Sequence, residues 1–166
     1  IRVILPAVGG GFGGKSEVAA NELCAALLAR KSGRPVKLTF ERDEVFFTNK
    51  GRHPMHIKVK MGVDKTGKIQ ALDFETLMDG GAYLGWGIVV MFYCAAMTHL
   101  PYRIENVRFH GRRVYTNKPT CGAMRGLGGV QPRFAIESLL DEIALELNIS
   151  PYEIRRMNAV ESGHTT

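Results

Sequence analysis

The sequence predicts an α+β domain in which mixed or antiparallel sheet segments carry packed helices. Three observations predict it: alternating strands around a turn at 64–67, helical periodicities far apart in the chain, and no uniform βαβ repeat. The 166 residues suit one domain, and a chain of that size buries roughly 70% of the surface it exposes unfolded. Hydrophobic residues at 45% and charged residues at 23% exclude wholesale disorder.

Residues 2–6 (RVILP) read as a short strand. Over 16–31, Ala19, Leu23, Ala26 or Leu27 and Arg30 fall at helical spacing, with Ser16 as a cap and Gly33 as the stop. Residues 36–40 alternate as a strand and 42–47 form a turn of helix. Over 56–78 two strands flank Asp64-Lys65-Thr66-Gly67; His56, Lys58 and Lys60 face one way, and Ile57, Val59 and Met61 the other. The apolar, glycine-broken stretch from Gly80 to Met97 reads as buried and fits strand and helix equally. Residues 107–114 form a strand with a basic outer face. Over 131–147, Phe134, Leu139, Leu140, Ile143, Ala144 and Leu147 make one broad apolar helix face. Asn148 and Ser150-Pro151 end that helix and start another that runs to Met157. The domain is expected over 1–158, with 159–166 as a flexible terminus.

The chain has no run of 18 apolar residues, begins with Ile and shows no secretion signal, which reads as a piece of a longer polypeptide. Cys24, Cys94 and Cys121 are odd in number and far apart, against a disulfide scaffold and for a reducing, cytoplasmic setting. Cys24 is expected to be a core thiol. Nucleic-acid binding needs a contiguous basic surface with stacking residues, and the basic residues behind the net charge of +6, Arg112-Arg113 among them, are spread along the chain, so nucleic acid is not expected as a partner. The histidines at 53, 56, 99, 110 and 164 form no zinc pattern, and no protein metal ligand is expected.

The segment Gly9-Gly10-Gly11-Phe12-Gly13-Gly14-Lys15-Ser16 satisfies both the phosphate-loop and the dinucleotide-binding spacings. Adjacent glycines let backbone N–H groups converge on an anion, with a following helix aiming its positive end. A structural glycine turn is the third reading. The phosphate-loop reading lacks an acidic magnesium partner at a strand end, and the later hairpin breaks the dinucleotide order.

GGGFGGK at 9–15, SGRPVKLTFERDE at 32–44, GRHP at 51–54, DKTGKIQAL at 64–72, DGGAY at 79–83, YTNKP at 115–119 and AMRGLGG at 123–129 occur in one order. This set resembles the large subunit of the molybdenum hydroxylases, the xanthine dehydrogenase and aldehyde oxidoreductase family, over nearly the whole chain. The resemblance implies a fragment of the molybdopterin-binding domain, not self-sufficient for catalysis. It implies a molybdenum–pterin dithiolene cofactor that oxidises an aromatic, heterocyclic or acyl substrate. The implied partners are the remainder of the large subunit and iron–sulfur and flavin domains or subunits. It puts Gly11, Phe12 and Gly13 beside the molybdenum and Arg125 on the cofactor side. The Phe12 ring is expected to pack while its backbone faces the cofactor. Lys15 and Trp86 read more simply as a salt-bridging or exposed lysine and a packing aromatic, and His53 as a brace within its turn.

Purine-oxidising members of the family have a glutamate after the GGGFGGK lysine, an arginine nine residues before the tyrosine of YxIxN, and phenylalanine in RGFG. Here those substrate-facing positions are Ser16, Tyr93 and Leu127. Two charged handles and a stacking platform are gone, which argues against purine. The glycine, YTNKP and RFAIESLLDE segments look more similar to hydroxybenzoyl-CoA reductase-like members, which remove a ring hydroxyl from an aromatic acyl-CoA, than to aldehyde oxidoreductases. The family's catalytic glutamate lies beyond Thr166, so no catalytic residue is expected within this chain.

Overall fold

The computed structural model describes residues 2–164. The hairpin predicted around the 64–67 turn is the centre of the fold. Strand β1 (Met55–Val63) pairs antiparallel with β2 (Ile69–Asp79). The Asp64 carboxylate accepts from the Thr66 and Lys68 N–H groups at 2.8 and 3.1 Å, while Gly67 takes φ +93. That turn is what Asp-x-x-Gly chemistry favours. Along β1, half-buried and exposed residues alternate, with Ile57, Val59 and Met61 facing inward as the periodicity requires. β2 buries Leu72, Phe74, Thr76 and Met78.

The stretch of open assignment between Gly80 and Met97 yields a helix, Gly87–Met97. It crosses from the end of β2 to β3 (Asn106–Val114), which pairs parallel with β2 and completes a mixed sheet of order β1-β2-β3. Phe74 and Phe109 stack at 5.7 Å on that sheet. The long C-terminal helix, Val130–Glu146, and a short one, Pro151–Asn158, pack on the sheet and complete the core of Ile69, Leu72, Phe74, Cys94, Tyr102, Ile136, Leu140, Ala144 and Ile154. Buried Asn158 ties the short helix to the hairpin. Its amide donates to the Gly67 carbonyl at 2.9 Å, and its carbonyl oxygen accepts from the Ile69 N–H at 2.9 Å. With helices Ala20–Ser32 and Arg42–Thr48, the helices in chain order are α1 (Ala20–Ser32), α2 (Arg42–Thr48), α3 (Gly87–Met97), α4 (Val130–Glu146) and α5 (Pro151–Asn158).

Several expectations are corrected. Residues 2–6 and 36–40 join no ladder among the described residues, and a segment without a pairing partner is not a strand. α1 starts at Ala20, so Ser16 does not cap it; the Glu22 carboxylate instead accepts from the Ala19 N–H at 3.1 Å. Gly33 does close α1, at φ +63. Cys24 is exposed because α1 buries none of its residues. Phe134 is 75% exposed. The buried stripe of α4 is Pro132, Ile136, Leu140 and Ala144, and a residue two positions from its members lies about 200° around the helix. The expected free end at 159 is tied at its start: Ala159 bridges Tyr102, and the Val160 N–H reaches the Pro101 carbonyl at 2.9 Å. Residues 165 and 166 of that segment lie outside the described residues.

Candidate functional site

The glycine run forms a tight loop whose shape its sequence dictates. Gly10 and Gly13 take φ +126 and +100, and Phe12 itself takes φ +50, which is uncommon for a residue with a side chain. The Gly14 N–H closes the turn on the Gly11 carbonyl at 2.9 Å. Lys15 bends back, its ammonium donating to the Gly10 carbonyl at 2.8 Å, and the Ser16 hydroxyl donates to the Gly13 carbonyl at 2.8 Å. A phosphate loop and a dinucleotide loop both open straight into a helix whose N-terminus faces the anion; here α1 waits until Ala20. The two nucleotide readings of the spacing therefore fail on geometry.

The loop docks instead on the AMRG segment. A Cβ on Gly13 would lie 2.4 Å from the Ala123 carbonyl oxygen and 2.6 Å from the Met124 Cα. The Arg125 N–H donates to the Phe12 carbonyl at 2.9 Å, and the Arg125 guanidinium stands 5.9 Å from the Phe12 ring centroid. The ring is 66% exposed rather than packed in the core. The N–H groups of Gly11, Phe12 and Gly13 find no acceptor among the described residues. Three unspent backbone donors beside an exposed arginine fit an anionic or strongly accepting ligand.

The residues expected on the substrate side fall into two groups. Tyr93, on α3, approaches Gly128, where a Cβ would lie 2.8 Å from the Tyr93 Cβ and 2.6 Å from the Val90 carbonyl. Leu127 is the half-buried neighbour of Gly128 and sits with Met124, His53 and Gln131 over a small hollow. Ser16 belongs to neither of these contacts. It lines a cleft of about 410 Å³ with Lys15, Val18, Phe40, Val45 and Lys50. Trp86 is half-buried just before α3.

Two supports were not legible as such in the sequence. The Arg52 guanidinium donates to the carbonyls of Arg125 and Gly126. Asp79, at the end of β2, accepts from Thr116 Oγ1 and Lys118 Nζ at 2.7 Å each and from the Gly81 N–H at 3.0 Å. It thereby clasps the segment that leads into Cys121 and the AMRG loop. Those hydrogen bonds, Lys118 first, hold the Asp79 carboxyl well below the usual carboxylate range. Both residues fall inside quoted motifs, GRHP and DGGAY, and spacing alone says nothing of what they reach.

His53 is buried at 2% exposure, and its carbonyl accepts from Gln131 Nε2 at 2.8 Å, so the GRHP turn is pinned to α4. Burial, reinforced by the nearby Arg113 charge, lowers its imidazole to about 4. Burial also pushes the Cys94 thiol up to about 12, an unreactive packing group. Among the described residues no three His, Cys, Asp or Glu side chains are grouped to hold a metal ion.

The fold and this contact define an α+β domain in which a glycine loop docks on an arginine-bearing glycine segment. The family described as the molybdopterin cofactor-binding domain matches residues 1–159, and the chain belongs to it. It is 43% identical over 95% of its length to a probable xanthine dehydrogenase subunit of Bacillus subtilis, of which it covers 21%. It is 37% identical over 98% of its length to the nicotinate dehydrogenase large molybdopterin subunit of Eubacterium barkeri, covering 38% of that protein. The aldehyde oxidoreductase of Desulfovibrio gigas superposes with a TM-score of 0.87 at 34% identity, over 95% of this chain and 17% of that one. The chain thus spans about a fifth of the first of these relatives and under two fifths of the second. No described helix is long and apolar enough to cross a membrane.

Proposed function

We propose that this chain is the cofactor-holding part of the large subunit of a molybdenum-dependent oxidoreductase. The parent enzyme acts on an electron-poor aromatic, heterocyclic or acyl substrate. Its further partners are the rest of that subunit and iron–sulfur and flavin domains or subunits, in the cytoplasm. The carrying observation is the docking of Phe12 on Arg125, which brings the glycine loop, with its three unused N–H groups, against the AMRG segment.

In this reading the bound group supplies two-electron redox chemistry at molybdenum. The protein's own part is to bind and orient it. The Gly11, Phe12 and Gly13 N–H groups donate to its oxygens or to the pterin, and Arg125 balances its negative charge. Tyr93, Leu127 and Ser16 shape the substrate side. Ser16, Tyr93 and Leu127 stand where purine-oxidising members of the family carry a glutamate, an arginine and a phenylalanine, which disfavours purine, because a ligand's buried polar atom left unpaired costs about 1–3 kcal/mol. The names of the relatives run from a probable xanthine dehydrogenase to a nicotinate enzyme and an aldehyde oxidoreductase, which is consistent with one cradle serving several substrates.

Arg125→Ala in the complete parent enzyme tests the reading. It is expected to lower pterin content per subunit and turnover by about tenfold or more, while leaving the folding transition nearly in place. Full pterin content with normal kinetics would remove Arg125 from the site.

A further inference from the structure

The two peptide planes that flank the Arg125 Cα are held from different directions. The Arg125 N–H donates to Phe12 at 2.9 Å, and the Arg125 carbonyl accepts from the Arg52 guanidinium, 73 residues away in sequence. A second Arg52 nitrogen reaches the Gly126 carbonyl at 3.4 Å. Each peptide is planar, so pinning the plane on either side fixes both φ and ψ of Arg125 and the direction in which its Cβ leaves the backbone. The loop has little stiffness of its own. Gly126 and Gly128, at φ +76 and +70, are the residues with most conformational freedom to lose.

Arg52 is itself seated on the loop it braces. Gly51 bridges Cys121, with the Gly122 N–H on the Gly51 carbonyl at 2.9 Å, and Gln131 holds the His53 carbonyl on the other side. A planar guanidinium presents several donors in a rigid fork and can serve two successive carbonyls; an ammonium is a point donor on a flexible stem.

We propose that Arg52 is a positioning residue for the cofactor site, aiming Arg125 by bridging the carbonyls of Arg125 and Gly126. This rests on the reading of Arg125 given above and extends it to a side chain that acts through the loop backbone.

Arg52→Ala, Arg52→Lys and Arg125→Ala in the complete parent enzyme test it. The readouts are pterin content, kcat and KM, and amide hydrogen exchange in peptides spanning 123–130. For Arg52→Ala the expected result is faster exchange confined to 123–130, lower pterin content, and kcat reduced about tenfold with KM little changed. Arg52→Lys is expected to fall between Ala and wild type. Unchanged exchange over 123–130 in Arg52→Ala overturns the clamp whatever Arg125 does. Faster exchange with full pterin content and normal kcat overturns the positioning role. So does exchange that quickens throughout the core while Arg52→Lys behaves as wild type. A silent Arg125→Ala beside a quickened loop in Arg52→Ala defeats the underlying reading of Arg125 and leaves the clamp standing.

Discussion

Gly13 meets two demands at once. Its φ of +100 lies where side chains rarely go, and any Cβ would run into the Ala123 backbone, which has no flexible end to swing away. Gly13→Ala is therefore expected to push the glycine loop off the AMRG segment. The cost is about 1–3 kcal/mol of stability and the Arg125–Phe12 hydrogen bond. Urea unfolding together with exchange at the Arg125 amide checks it; wild-type values for both would mean that the two loops do not depend on each other. Gly33 is different in kind. It also has positive φ, at a helix end, but meets nothing within 4 Å, so its glycine serves backbone conformation alone.

At the scale of elements, the open end of the β1–β2 hairpin joins two titrating groups. His53 precedes β1, Asp79 ends β2, and the Asp79 N–H donates to the Pro54 carbonyl at 2.9 Å between them. Buried His53 stays neutral in the folded chain down to about pH 4. The unfolded chain takes up that proton near 6.5, so stability is expected to be level above 6.5 and to fall as pH drops from there toward 4. The depressed Asp79 contributes stability that is complete above the ordinary aspartate range and is lost at lower pH, as its clasp is protonated. Urea midpoints between about pH 7.5 and 4.5 check this, and His53→Gln should flatten the slope over that range. A wild-type slope in that variant would assign the acid sensitivity elsewhere. These strands, α4 and α5 were legible because period-two and period-3.6 patterns are local, and because Asp-x-x-Gly and Ser-Pro turns carry their own geometry. Segments 2–6 and 36–40 misled because a strand is a pairing, and composition does not reveal whether a partner is present. The candidate site was legible only through ordered motifs. That Phe12 docks on Arg125, or that Arg52 reaches two carbonyls, is tertiary information with no local signature.

Across the whole molecule, burial is lopsided. No described residue before His53 is buried, although Val3, Leu5, Phe46 and Phe47 are each more than 70% exposed and α1 shows Leu23, Leu27 and Leu28 to solvent. The core comes from β1 onward. In a parent several times longer, this apolar side is where further polypeptide is expected to pack. Leu27→Glu should then change the stability of this chain alone by no more than about 0.5 kcal/mol, yet destabilise the complete parent by about 2 kcal/mol or more. Parallel denaturation of the two decides it, and an equally small effect in the parent would mean that α1 stays uncovered there.

The contact between Phe12 and Arg125 also bears on the order of biosynthesis. A nascent chain emerging from the ribosome displays its glycine loop early, but that loop has nothing to close against until the AMRG segment has been translated. Sequence separation on this scale makes closure a late event. On the function proposed above, loading of the prosthetic group is accordingly a step for a polypeptide translated past the AMRG segment, and a chain stalled before Arg125 offers only half a cradle.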